Sequence, residues 1–129
     1  MKKLNNYFYK EQFTNKRLCF SIIDGKYYIT DSYIAGIFNE NDIYFNINRF
    51  KEIDSNIFKF DNLDFKEDKI VRIIVDNKVN VCELESGIFV KENFLNLFNY
   101  TRIDSSEKSI IKIYNGDEVI GYAMGIVKY

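Results

Sequence analysis

The stretch Leu18-Cys19-Phe20-Ser21-Ile22-Ile23-Asp24-Gly25-Lys26-Tyr27-Tyr28-Ile29-Thr30 decides the fold class. Two runs rich in β-branched and aromatic residues flank an Asp-Gly pair, which is typical of a two-residue hairpin turn because both residues tolerate a positive φ angle. Two further stretches follow the same pattern, residues 70–84 around Asp76-Asn77 and residues 109–129 around Asn115-Gly116. The sequence therefore predicts an antiparallel sheet built from three two-residue hairpins.

The last of these predicted strands has two unlike faces. Large residues alternate with small ones along it, namely Ile120, Tyr122, Met124 and Ile126 against Gly121, Ala123 and Gly125. Successive strand residues point to opposite sides of a sheet, so one face of this strand is nearly bare. We expect that face to accept a closely packed neighbour.

Helical patterns are fewer than strand patterns. Apolar residues recur at helical spacing in residues 91–100 and 47–53, and less regularly in residues 3–16. Residues 54–69 have the character of a loop with a short strand at 57–60. The fold class predicted from these patterns is α+β, an antiparallel sheet with two or three short helices packed on one face.

Size and composition set the broad class. A chain of 129 residues has the length of one domain, so we expect a single domain over residues 1–129. The N-terminus turns polar at once and no window approaches eighteen apolar residues, so we expect no leader and no contact with a membrane. Two cysteines fit the reduced thiols of a cytoplasmic protein. The abundance of Asn, Ile, Lys, Phe and Tyr, which have A/T-rich codons, suggests a low-GC bacterium or its phage.

The absence of histidine restricts the chemistry. Nucleophilic triads and dyads lack their usual base, and the isolated Cys19 and Cys82 do not make a zinc site. The six glycines are scattered and form no phosphate-binding loop. We therefore expect a binding protein that is not an enzyme, with no catalytic residues, no metal and no cofactor.

Charge is unevenly distributed along the chain. Residues 1–30 carry six bases against two acids, and residues 31–68 carry nine acids against four bases. A segregated dipole of this kind can steer a charged partner, and a solvated loop beside a basic terminus is the alternative interpretation.

Several segments resemble one domain of the DNA sliding clamps, the processivity factors of replication. Residues 18–31 resemble a clamp hairpin that ends in a Thr-Asp pair, and residues 47–53 are similar to the short clamp helix that follows it. Residues 88–98 resemble the second strand-to-helix step, and residues 120–127 look like the closing strand.

This resemblance implies sheets on the outside and helices that line a DNA-facing surface. The candidate DNA-facing residues would be Asn48, Arg49, Lys51, Lys91, Asn93 and Asn96. True clamps string two or three such domains in one chain, so this chain would have to form a ring of several subunits. The corresponding hypothesis is a clamp-like replication accessory of a phage or mobile element that contacts DNA or replication proteins.

The acidic segment supports a second hypothesis, a small phage-encoded inhibitor that binds a host defence enzyme through protein–protein contact, as anti-CRISPR proteins do. Carboxylates can occupy basic grooves that are meant for phosphates. The candidate partner-binding residues are Asp54, Asp61, Asp64, Phe65, Glu67 and Asp68. A magnesium or calcium site at the acids of 61–68 is disfavoured, because their spacing lacks the alternating ligands and central glycine of a calcium loop.

Overall fold

Strands are the predominant secondary structure. A computed structural model describes residues 1–60 and 62–127. Its strands are β1 (Cys19–Ile23), β2 (Lys26–Thr30), β3 (Ile34–Phe38), β4 (Lys51–Glu52), β5 (Phe65–Asp68), β6 (Ile70–Asp76), β7 (Val79–Leu84), β8 (Ile88–Lys91), β9 (Arg102–Ser106), β10 (Ile110–Asn115), β11 (Glu118–Met124) and β12 (Ile126–Val127). The two helices are α1 (Lys2–Glu11) and α2 (Glu92–Leu95), and short 3-10 turns lie at Glu40–Asp42, Ile47–Arg49 and Ser55–Phe58.

The strands form two sheets. The larger sheet has the order β4-β1-β2-β3-β11-β10-β9-β5, and the smaller has the order β12-β8-β7-β6. Neighbouring strands run antiparallel, apart from the parallel pair β1 and β4. The prediction of an α+β fold with antiparallel pairing is confirmed, and the prediction of one sheet is wrong.

Two segments of the chain pass from one sheet to the other. β5 continues into β6 through Lys69, and β11 continues into β12 through Gly125. These two crossings join the sheets into a ring of six strands, in the order β5/β6, β7, β8, β12/β11, β10 and β9. β3, β2, β1 and β4 extend the larger sheet beyond the ring. Among the described residues, a cluster of buried apolar side chains runs through both parts.

Two side chains pack closely onto the larger sheet at a pair of glycines. Gly36 of β3 and Gly121 of β11 are cross-strand partners. Leu4 of α1 fills the space over Gly36, and Phe98 fills the space over Gly121. A Cβ atom at Gly121 would overlap both the Phe98 ring and the carbonyl oxygen of Ala35. The bare face of the last long strand therefore accepts a closely packed neighbour, as its sequence predicts.

Aromatic side chains fill the core beneath α1. The Phe8 ring lies 6.1 Å from that of Phe38, 5.5 Å from that of Phe45 and 6.2 Å from that of Phe50, measured between centroids. Such pairs add roughly 0.5–1.5 kcal/mol each beyond their burial. The core continues inside the strand ring through the buried residues Cys82, Leu84, Val90, Ile103, Ile111 and Ile113.

The turns of the hairpins differ from the predicted ones in two of three places. β1 and β2 are joined at Asp24-Gly25, with φ angles of 51° and 78°. The other two turns lie at Asn77-Lys78 and Gly116-Asp117, one residue later than the sequence pattern predicts. Asn77 and Lys78 both take the positive φ of a type I′ turn. In the last hairpin, the pairing shifts by one residue between Ile113 and Tyr114, so that Asn115 pairs with Glu118 and two residues form the turn.

The helices are shorter than predicted. α1 ends at Glu11 instead of residue 16, and residues 91–100 contain the four-residue α2. Of the helices that the structure describes, none has the length and apolar content needed to cross a membrane.

Two predictions between residues 47 and 60 are wrong. Residues 47–53 form a 3-10 turn followed by β4, because the Lys51 and Ile53 amides donate to β1 and its flank while Phe50 enters the core. Residues 57–60 are not a strand, since Ser55–Phe58 form a 3-10 turn. The strand of this region is β5, further along the chain.

Replacing Gly121 by Ala will destabilise the fold more than replacing Gly36 by Ala. At position 121 the added methyl meets the Ala35 carbonyl, which the sheet fixes, whereas at position 36 it meets side-chain atoms that can shift. We expect Gly121→Ala to lower the free energy of unfolding by about 2–3 kcal/mol, as overpacked cores do. Urea unfolding followed by circular dichroism measures both losses. Equal losses would contradict the role given to the carbonyl.

Candidate functional site

An acidic cleft of about 480 Å³ opens where β5 crosses into β6. Five of its eleven lining residues are acids and one is a base, so its field is negative. The lining residues are Asp64, Lys66, Glu67, Asp68, Glu85, Ser86, Ile88, Ser105, Ser106, Glu107 and Val127. They come from β5 and the residue before it, from β8, from the turn between β7 and β8, from the end of β9 and the residue after it, and from β12.

Asp68 lies at the base of the acidic cleft and is 8% exposed. Its Oδ2 accepts a hydrogen bond from Ser105 Oγ at 2.6 Å, and its Oδ1 accepts from the backbone amides of Lys69 at 2.8 Å and Ser86 at 3.3 Å. Burial opposes ionisation, but these hydrogen bonds outweigh it and lower the pKa of Asp68. Asp68 is therefore a structural anion that joins three segments of the cleft. Its carboxylate is buried, unlike those of the other predicted acids of this cleft.

The other acids of the cleft are exposed. Glu85 forms an ion pair with Lys69, with Nζ 3.2 Å from Oε2, and both side chains are largely exposed. Exposed pairs of this kind contribute about 0–1 kcal/mol, so Lys69 neutralises Glu85 loosely. Within residues 1–60 and 62–127, the ion pairs do not include Asp64, Glu67 or Glu107. Of these three rim acids, Glu67 nevertheless acts electrostatically on Arg102, whose pKa it helps to raise.

The structure gathers some of the predicted partner-binding residues and separates others. Asp64, Glu67 and Asp68 line the acidic cleft together. Asp54 caps the 3-10 turn at Ser55–Phe58, where its Oδ1 accepts from the Asn56 amide at 2.9 Å. Phe65 lines a neighbouring cavity. Asp61 lies outside the residues that the structure describes.

Sequence reasoning missed the residues that reach the cleft from other strands. Glu85 and Ser86 lie in the turn between β7 and β8, and Glu107 follows β9. The available signal was that Glu85 and Ser86 interrupt an apolar strand pattern, as turn residues do. Nothing in the local sequence indicates that the two turns meet at the β5–β6 crossing.

A ladder of cations and aromatic rings beside the cleft was also missed. Lys112 Nζ lies 4.9 Å from the centroid of the Phe65 ring and 5.8 Å from that of Tyr114. Arg102 Cζ lies 3.9 Å above the Tyr114 ring, and its Nε is 3.3 Å from Asp104 Oδ1. The ladder spans β5, β9 and β10 and so stiffens the wall that carries Phe65.

The six candidate DNA-facing residues form two groups. Asn48 and Arg49 are exposed on the 3-10 turn, and Lys51 is exposed on β4 at the edge of the larger sheet. The second group, Lys91, Asn93 and Asn96, is exposed at α2. The first group therefore lies on a turn and a strand. The clamp resemblance implies an α-helix at this place, and that prediction is wrong.

Arg49 belongs to an exposed aromatic cluster at the end of α1, here called the Arg49 cluster. Arg49 Cζ lies 5.3 Å from the centroid of the Phe13 ring, which in turn packs edge-on against Tyr9 at 5.5 Å. Phe13 and Tyr9 are 57% and 51% exposed. Exposed rings next to cations are suited to stacking on nucleic-acid bases.

Within residues 1–60 and 62–127, no three carboxylate or thiol side chains lie close enough together to hold a metal ion. Comparison with protein-family models, with curated proteins and with solved structures finds no match to this chain. The acidic cleft and the Arg49 cluster are thus the features from which a function is inferred.

Asp68→Asn will destabilise the protein at neutral pH. This destabilisation will disappear at acid pH. Because folding lowers the pKa of Asp68, its contribution is complete above the ordinary aspartate pKa of about 3.9 and disappears as the pH falls through the lower folded value. We expect a loss of about 1–2 kcal/mol at neutral pH, the difference between charged and neutral hydrogen bonds. Urea unfolding across the pH range measures it. Asp64→Asn is the control and should change little. A loss that is independent of pH would contradict this role.

Proposed function

We propose that this chain is a small, non-enzymatic binding protein that acts by placing its acidic cleft against a basic surface of a partner protein. One observation carries the proposal. Three exposed acids without a described ion pair, Asp64, Glu67 and Glu107, surround a concave site. Asp64 precedes β5, Glu67 lies on β5 and Glu107 follows β9.

The shape and charge of the cleft suit a basic side chain. A concave volume of about 480 Å³ admits the end of an arginine or lysine. The rim acids are exposed, so they attract an approaching basic partner by long-range electrostatic steering. This attraction mainly raises the association rate and the specificity. Asp68 adds negative charge from below, and its own hydrogen bonds keep it ionised.

The biological setting that fits this activity is inhibition of a host defence enzyme by a phage or mobile element of a low-GC bacterium. A groove that binds nucleic acid is lined with arginine and lysine, and an acidic surface can occupy it in place of phosphate. The small size of the chain, its A/T-biased composition and its lack of histidine support this setting. In such a role the protein blocks a surface and performs no chemistry.

Reversing the rim charges will weaken capture of the partner. We expect the combined variant Asp64→Lys, Glu67→Lys and Glu107→Lys to weaken binding on the order of 100-fold, through the loss of steering and the repulsion that replaces it. The readout is affinity capture from host lysate with mass spectrometry, then titration of the recovered protein. Asp68 is left intact, since a buried lysine there would unfold the cleft.

The matched control reverses three exposed acids elsewhere, Glu40→Lys, Glu52→Lys and Asp117→Lys, which changes the net charge equally. It should bind as the wild type does. If the rim variant holds every recovered partner as tightly as the control, the acidic cleft is not the interface.

A second candidate function, a clamp-like replication accessory that contacts DNA, is supported by the Arg49 cluster. Its exposed rings and its arginine offer stacking and phosphate contacts, and Lys51 lies two residues further along. Encirclement of DNA by this chain would require several copies in a ring.

If this candidate is correct, the chain binds DNA with a strong dependence on salt. Contact with three phosphates predicts a loss of affinity of roughly 40-fold between about 50 and 200 mM salt. Fluorescence anisotropy with labelled duplex and single-stranded DNA measures it. Arg49→Glu should weaken the binding, and Lys91→Glu tests whether the α2 group takes part. Absence of binding at the lower salt concentration would exclude this candidate.

A further inference from the structure

β6 is an edge strand with an unusual composition. β7 pairs with one of its sides, and among the strands that the structure describes none pairs with the other. Its seven residues contain five isoleucines and valines and one charge of each sign, Arg72 and Asp76. Edge strands are usually short or carry lysine or proline, which discourage pairing with another chain. β6 is seven residues long and has neither lysine nor proline, and its β-bulge lies at one end, at Val71, which leaves residues 72–76 regularly paired with β7.

The apolar side chains of β6 remain in contact with water. Val71, Ile73 and Val75 are 49%, 50% and 72% exposed. Ile73 pairs with the buried Cys82 of β7, so it lies on the core side of the smaller sheet but projects beyond the core. The apolar side chains at the far end of β6 therefore lack a covering partner.

The backbone of β6 is oriented for a further strand. In a two-residue hairpin the residues that flank the turn form a hydrogen-bonded pair, and these are Asp76 and Val79. Hydrogen-bonded and non-hydrogen-bonded positions alternate along an antiparallel strand. The amide and carbonyl groups of Ile73 and Val75 therefore point away from β7, toward the open side.

A second copy of β6 complements this edge in one antiparallel register. When Ile74 lies opposite its own copy, Arg72 of each chain lies opposite Asp76 of the other, and Ile73 lies opposite Val75. The outward backbone groups of Ile73 and Val75 then face each other across the two strands. Arg72 also pairs with Glu83 of its own chain, with Nη2 2.9 Å from Oε1, and no described residue bonds its Nη1 group.

We propose that two copies of this chain associate through β6, in antiparallel register about Ile74, and join their smaller sheets into one continuous sheet. The charge complementarity of Arg72 with Asp76 selects a second copy over an unrelated strand. A twofold interface of this kind is closed, so it gives a dimer and not a filament.

Sedimentation velocity over a range of micromolar concentrations tests the dimer. The wild type should shift from monomer to dimer as its concentration rises. Ile73→Pro removes an outward amide that β7 does not use, and Ile73→Lys places a charge on the open edge. Each should weaken dimerisation at least about tenfold, equivalent to about 1.4 kcal/mol. Unchanged circular dichroism verifies that the variants fold.

Charge exchange tests the register. Asp76→Arg places like charges opposite each other in the dimer, and so does the double variant Arg72→Glu with Glu83→Arg, which keeps the pairing within its own chain. Each variant alone should be monomeric, and an equimolar mixture of the two should dimerise. Asp117→Arg, at the tip of another hairpin, is the control and should dimerise as the wild type does.

A wild type that stays monomeric at all concentrations would overturn the proposal. So would a dimer that survives both Ile73 variants, because its interface would lie elsewhere. If the two charge variants fail to associate when they are mixed while the wild type dimerises, the proposed register is wrong.

Discussion

The close approach permitted by Gly36 and Gly121 is the constraint on which the rest of the structure depends. Without a Cβ atom on either residue, Leu4 and Phe98 reach the surface of the larger sheet side by side. Leu4 fixes α1 and with it the aromatic cluster around Phe8. Phe98 fixes the segment after α2 over β11. Because β11 continues into β12, the same contact positions the strand that joins the two sheets.

The acidic cleft is a consequence of how the sheets are joined. β5 changes sheets at Lys69, and the crossing brings the β7–β8 turn next to the end of β9. Asp68 bonds to both of them, through the Ser86 amide and the Ser105 hydroxyl. One buried carboxylate thus holds together segments that are far apart in sequence. The acids Glu67 and Glu107 lie around it because their strands meet there.

Local features of the chain were predictable, and features that depend on the meeting of distant segments were not. Asp24-Gly25 specifies its turn by its own backbone preferences, so that hairpin follows from sequence. The pattern of residues 47–53 fits a helix, but burial of Phe50 and pairing with β1 override it. Asp64 and Asp68 are neighbours in sequence and were identified. Glu107 was not, because it reaches the cleft through the sheet topology.

Different acids of the cleft contribute to stability and to the proposed recognition of a partner. Asp68 is buried and held by hydrogen bonds from three groups, whereas the rim acids make no described ion pair. Substitutions at exposed positions without such bonds usually change stability by less than about 0.5 kcal/mol. The rim can therefore vary at little cost in stability, whereas substitution of Asp68 destabilises the fold. In the binding role proposed for the cleft, a few surface mutations at the rim could adapt the protein to a different partner while its scaffold stays the same.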